Sequence, residues 1–201
     1  MALLNLSLRY GVVAQSLHWI TVLLVAFAWL LGVVGDDLPG KSAQAVGLAL
    51  HMTAGLMVLA LTMVRLGWRG VDAPPRSSVV ATATARRLQQ AAALTQVALY
   101  GLLIAVPLVG IAVQFARGGS LPLLGLALIA SPWAADRALA HTLKDVHELM
   151  AHALMATAAL HAAAALLHHW VLHDRTLQRM LPAPAAPRSA TADTSRAADG
   201  S

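Results

Sequence analysis

The chain contains no cysteine, which excludes covalent CxxCH haem attachment, thiolate-bound iron–sulfur clusters and disulfides together. It is also poor in charge: Asp, Glu, Lys and Arg make up 11% of its 201 residues, against about 25% in a soluble domain. Apolar residues fill the deficit, at 58% with a mean hydropathy of +0.68. A globule this small cannot bury so much apolar surface, so the bilayer must be its solvent. The sequence pI near 10.7 would suit nucleic acid, but the basic residues cluster beside apolar runs. That placement fits membrane topology and anionic headgroups, and no nucleic-acid partner is expected.

The apolar residues fall into four runs. Leu17–Val34 is broken among polar residues only by His18 and Thr21. Val46–Val64 contains His51 and ends at Arg65. Ala91–Phe115 carries Gln96 and Gln114 near its ends and Pro107 inside, and Val146–Leu172 holds Glu148 and most of the histidines. At roughly 20 residues per crossing each can span as a helix, the form lipid demands because backbone polar groups must be satisfied internally. The expected fold is an all-α membrane protein, a four-transmembrane-helix bundle within residues 1–181, with helices near 14–34, 46–66, 91–115 and 146–172. Pro107 should kink the third helix. Leu121–Ala130 is too short to cross and is expected as a re-entrant or interfacial piece. Residues 182–201, rich in Ala, Pro, Ser, Thr and Arg, read as a disordered cytoplasmic tail.

Loop charge sets the expected orientation. Arg65, Arg69, Arg76, Arg86 and Arg87 lie between the second and third runs, whereas the first loop has Lys41 beside Asp36 and Asp37. Arg9 precedes the first run, and Arg175, Arg179, Arg188 and Arg196 follow the fourth. The positive-inside rule puts both termini in the cytoplasm, with loops one and three outside. Trp19, Trp68 and Trp170 then fall near the inner interface and Trp133 near the outer, as an aromatic belt requires; Trp29 fits less well. The start of the chain lacks an evident small-residue cleavage site, so no secretory signal is expected.

An imidazole in hydrocarbon is costly and calls for a partner. His147 and His161 are 14 residues apart, about 40° around a helix and roughly 21 Å along it, so they share one side at two depths. Under the assigned topology His51 lies at the depth of His147, and His18 at that of His161. Two flat macrocycles, each held between imidazoles from neighbouring helices, would fit: bis-histidine haem irons about 20 Å apart. Zinc is a weaker rival, because no carboxylate or cysteine completes a tetrahedral set. Interhelical hydrogen bonding, or a proton path in a proton-coupled transporter, stays open for the same residues. His168, about 20° from His161 in projection, could meet a haem propionate or a quinone headgroup. Gly55 could let a porphyrin face approach the backbone, or simply serve helix packing. His169 and His173 are expected at the interface and His141 in a loop, while His152 should point away from the His147 face.

Several segments carry a resemblance: Arg9-Tyr10 followed by Ser16-Leu17-His18-Trp19, then His51-Met52-Thr53-Ala54-Gly55, Met63-Val64-Arg65-Leu66 and Pro107-Leu108-Val109-Gly110. The most specific is Leu143-Lys144-Asp145-Val146-His147-Glu148 with Leu160-His161 and the alanine run to His168-His169, followed by Asp174-Arg175-Thr176-Leu177 and Arg179-Met180. Over residues 9–181 the chain resembles the bacterial cytochrome b561 family, and within it the superoxide oxidase type. The resemblance implies a multi-pass protein of the bacterial inner membrane with two haem b, ligated by His18, His51, His147 and His161. It also implies electron exchange between superoxide at the outer face and ubiquinone in the membrane. Lys144 and Arg117 would guide the anion, although Asp36, Asp37, Asp136, Asp145 and Glu148 offset them in the same loops. A quinol-oxidising electron carrier serving a periplasmic redox partner is the alternative activity.

Overall fold

The computed structural model describes residues 10–72, 83–123, 127–171, 173 and 177–181. It contains helices α1 (Val12–Val34), α2 (Lys41–Val71), α3 (Ala83–Ala116) and α4 (Arg137–Trp170), each long and apolar enough to cross a membrane. Short 3-10 turns occupy Gly35–Asp37 and Leu177–Arg179. The tail expected over 182–201 lies outside the described residues.

The helices run past their apolar stretches because polar caps stop them, not the end of hydrophobicity. Gly40, with φ of +84°, takes the left-handed conformation that starts α2 at Lys41. The Asp136 carboxylate accepts from the Leu139 N–H at 3.0 Å and starts α4 at Arg137. His141, expected in a loop, therefore lies inside α4, with Nδ1 3.1 Å from the Asp145 carboxylate. Pro107 sits within α3 without ending it.

Between α3 and α4 the segment expected as re-entrant or interfacial is an antiparallel hairpin of β1 (Leu121–Leu123) and β2 (Ala127–Ile129), pairing Leu121 with Ile129. Leu121 is buried against the bundle, and β2 is exposed along its length. A pair this short is marginal alone and draws its order from β1 lying on α2 and α3.

α1 packs on α2, α2 on α3, and α3 on α4. Among the described residues α1 and α4 share no comparable contact, so the bundle has an open seam on that side. The core is correspondingly small: Val58, Leu103, Val106 and Leu154, flanked by residues such as Leu24, Val25 and Met150. Leucines such as Leu23, Leu94 and Leu149 face outward, the surface a lipid-solvated bundle presents. Thr21 and Thr62 are buried, and each returns its hydroxyl to a carbonyl of its own helix, Leu17 O at 2.6 Å and Val58 O at 2.7 Å.

The two chain ends are tied at the pole of the bundle opposite the hairpin. The Tyr10 N–H donates to Arg179 O at 3.3 Å. The buried Gln15 amide donates to Tyr10 O (2.9 Å) and Arg179 O (3.3 Å), and the Trp19 indole donates to Met180 O (3.0 Å).

Candidate cofactor site

His51 on α2 and His147 on α4 are set by one device used twice. His51 Nδ1 lies 2.7 Å from Ala28 O on α1, and His147 Nδ1 lies 3.0 Å from Val106 O on α3. A carbonyl can only accept, so each Nδ1 carries the proton and each Nε2 keeps its lone pair for a metal. One turn beyond each acceptor is a glycine. A Cβ at Gly32 would stand 3.2 Å from Cε1 of His51, and one at Gly110 would stand 3.0 Å from Cε1 of His147. The ring centroids are 6.0 Å apart with planes at 81°.

These rings border a cavity of about 650 Å³, whose lining includes Gly32, Gly55, Gly110 and Leu121. Cofactor pockets generally occupy about 300–1,000 Å³. A Cβ at Gly55 would meet nothing within 4 Å, so this stretch of α2 leaves free space beside His51. Among the described residues, no group of three or more His, Cys, Asp or Glu converges as a metal site. Two opposed imidazoles in a slot suit the axial positions of a planar macrocycle better than tetrahedral zinc.

The hairpin-end mouth of the cavity carries both sequence-predicted cations, Arg117 and Lys144, beside Asp36 and Glu148. Lys144 Nζ is 3.0 Å from the Glu148 carboxylate, so its charge is partly spent locally. His152 lines the same cavity, against the expectation that it points away. Its Nδ1 accepts a hydrogen bond from the Trp29 indole N–H at 3.2 Å across the α1–α4 seam. The slot extends around α4 toward that seam and takes in more than one helical face.

Nearer the opposite pole lie His18 on α1 and His161 on α4, which share no ring contact or hydrogen bond among the described residues. Among the described residues His18 Nδ1 is buried with no hydrogen-bond partner, a costly state that an added ligand would explain. His161 and Arg65 lie within electrostatic reach of His18, and Arg65 also of His161. Arg65 and Arg69 each stack over the Tyr100 ring, at 5.5 and 5.6 Å from its centroid. Beside them is a small cavity of about 40 Å³ bordered by Tyr10, Arg65, Trp68, Arg69, Gln96 and Tyr100. The Trp68 indole nitrogen there is buried and has no hydrogen-bond partner among the described residues. His168 sits half-buried in the last turn of α4 and lines neither cavity.

Sequence reasoning missed Gly32 and the Trp29–His152 pair, and it noted Gly110 without giving it a role. A glycine 19 residues from the histidine it accommodates leaves no local signal.

The family model for prokaryotic cytochrome b561 matches residues 9–183. The chain belongs to this family. It is 34% identical over 178 residues to the "Probable superoxide oxidase CybB" of Yersinia pestis, covering 87% of this chain and 96% of that protein. It is 34% identical over 177 residues to "Cytochrome b561 homolog 1" of Escherichia coli K12, covering 87% and 97%. Against "Cytochrome b562" of Cereibacter sphaeroides it is 33% identical over 171 residues, covering 83% and 90%. The protein is thus a multi-pass inner-membrane cytochrome of the b561 type, an electron carrier that binds b-type haem.

Proposed function

We propose that this cytochrome b561 carries two haem b, one between His51 and His147 and one between His18 and His161, and moves electrons from superoxide to ubiquinone. The observation that carries the reading is the opposed His51–His147 pair, each ring fixed through Nδ1 so that both Nε2 atoms are available to the slot. When bound between these histidines, haem would supply reversible one-electron transfer.

The residues then divide the work by depth. Positive-inside reasoning puts the hairpin pole outside and both termini in the cytoplasm. Arg117 and Lys144 lie at the outer mouth, where they would attract an anion; Asp36 and Glu148 limit that attraction. His51 and His147 hold the outer redox centre and His18 and His161 the inner one. Two superoxide ions each give up one electron and leave as dioxygen, while ubiquinone takes up two electrons and two protons to become quinol. The Trp68 N–H, Arg65 and Arg69 supply donors for a quinone carbonyl at the inner pole. His168 would act there only on an approaching headgroup, since it borders neither cavity.

The balanced charge at the outer mouth favours one rival, a quinol-oxidising carrier that passes electrons to a periplasmic redox protein. Anaerobic addition of superoxide to purified protein distinguishes the two. Rapid haem reduction followed by quinol formation supports superoxide oxidation. Reduction by quinol alone, with re-oxidation only on adding a protein partner, supports the rival. A pyridine haemochrome assay should give two haems per chain.

A further inference from the structure

Trp29 and His152 have no role in the reading above, yet they form a polar contact inside a lipid-solvated bundle. Trp29 lies on α1 and His152 on α4, the two helices that lack extended packing on each other. Their hydrogen bond, Trp29 Nε1–H to His152 Nδ1 at 3.2 Å, spans that seam with the rings edge to face, 6.1 Å between centroids. Both residues border the cavity that holds His51 and His147. His152 is five residues beyond His147 and nine before His161, about 7.5 Å and 13.5 Å along the helix. The pair thus sits between the two histidine levels, where an unneeded imidazole would be costly.

The bond also decides which ring nitrogen bears hydrogen. An indole N–H can only donate, so His152 Nδ1 must accept and its proton sits on Nε2. His152 therefore carries its ring N–H on Nε2 and borders the cavity shared with His51 and His147. Hydrogen-bond donors around a haem are one lever by which a protein sets its potential, because they favour the electron-richer reduced form.

We propose that His152, positioned by Trp29, is a tuning residue that raises the reduction potential of the outer haem relative to the inner one. The inference rests on haem being held between His51 and His147. It makes the outer centre the better electron acceptor of the two.

The test is a redox titration of the purified two-haem protein, following each haem by its own α-band. His152→Leu removes the donor and keeps apolar bulk; it should shift the outer haem negative by roughly tenfold in its reduction equilibrium, about 59 mV for one electron. The inner haem should stay in place and haem content should be unchanged. Trp29→Phe should move the outer potential the same way, and His152→Gln, which keeps an N–H donor, should restore it. An outer potential unchanged in His152→Leu, an equal shift of both haems, or no rescue by His152→Gln overturns the proposal. Wild-type protein lacking the outer haem would instead overturn the ligand assignment beneath it, so the two failures are distinguishable.

Discussion

Gly110 on α3 is shaped to His147 on α4: a Cβ at Gly110 would stand 3.0 Å from the ring, whose Nδ1 is bonded to Val106 one turn earlier. Gly110→Ala should push the imidazole off that carbonyl and tilt its Nε2. Overpacking of this kind costs about 1–3 kcal/mol, enough to lower occupancy of the outer haem several-fold. Gly32→Ala, with 3.2 Å to His51, should do the same more mildly. Haem per chain and the low-spin EPR signal of each centre report it. Wild-type haem content in Gly110→Ala would mean the ring does not depend on that glycine.

Each ligand pair should be lost separately. On the proposed ligation, His147→Ala or His51→Ala would remove a ligand from the outer centre, and His18→Ala or His161→Ala from the inner one. Each variant should show one low-spin haem fewer than the two expected of the wild type. Two low-spin haems in both His147→Ala and His161→Ala would refute the assignment.

Much of this arrangement is legible in one sequence, and the boundary of legibility has a physical basis. His18, His51, His147 and His161 stand out because an imidazole in an apolar run is expensive, and a fixed rise per residue gives their depths. Helix ends are hidden because Gly40 and Asp136 stop α2 and α4 well outside the apolar runs. The hairpin is hidden because three-residue strands have too little alternation to read. Gly32 and Gly110 matter only through which carbonyl of a neighbouring helix a histidine meets, and interhelical register is not encoded in one helix's period. His152 was misread because a single-face wheel ignores a slot that opens toward the α1–α4 seam.

Charge at the outer mouth gives a kinetic prediction. Lys144 is paired with Glu148 at 3.0 Å, and both side chains are about half exposed, so the pair adds little stability. It does neutralise a cation at the mouth proposed to receive the superoxide anion. Glu148→Gln should therefore speed superoxide-driven haem reduction at low ionic strength, and Lys144→Ala or Arg117→Ala should slow it. All three effects should shrink as salt shortens the Debye length to about 8 Å at 0.15 M. Stopped-flow reduction at two ionic strengths checks this; rates indifferent to all three substitutions would remove steering from the mechanism.

The tie between the chain ends should matter for stability more than for electron transfer. Gln15 is buried and bridges Tyr10 O and Arg179 O through one amide. Gln15→Leu fills the volume but takes the amide from both carbonyls, leaving Arg179 O only the Tyr10 N–H, a loss of about 1–3 kcal/mol if they stay buried. The segment around Met180, also held by Trp19, should then become more open to proteolysis at the tail. Limited proteolysis and thermal unfolding in detergent should show both effects, while haem content stays near wild type.

Arg65 offers the sharpest check on the inner centre, because its charge lies within reach of both His18 and His161. A fixed cation beside a redox centre favours the reduced state. Over about 10 Å, at an effective dielectric of about 20, the interaction is of order 1–2 kcal/mol. Arg65→Gln should therefore lower the inner haem potential while leaving the outer one in place, and Arg65→Lys should recover most of the loss. The Tyr100 stack separates charge from packing: Tyr100→Leu removes the ring under Arg65 and Arg69 but keeps both charges, so it should move the inner potential far less than Arg65→Gln. If Arg65→Gln shifts the outer haem instead, Arg65 belongs to a different level of the bundle and the pairing of His18 with His161 is wrong.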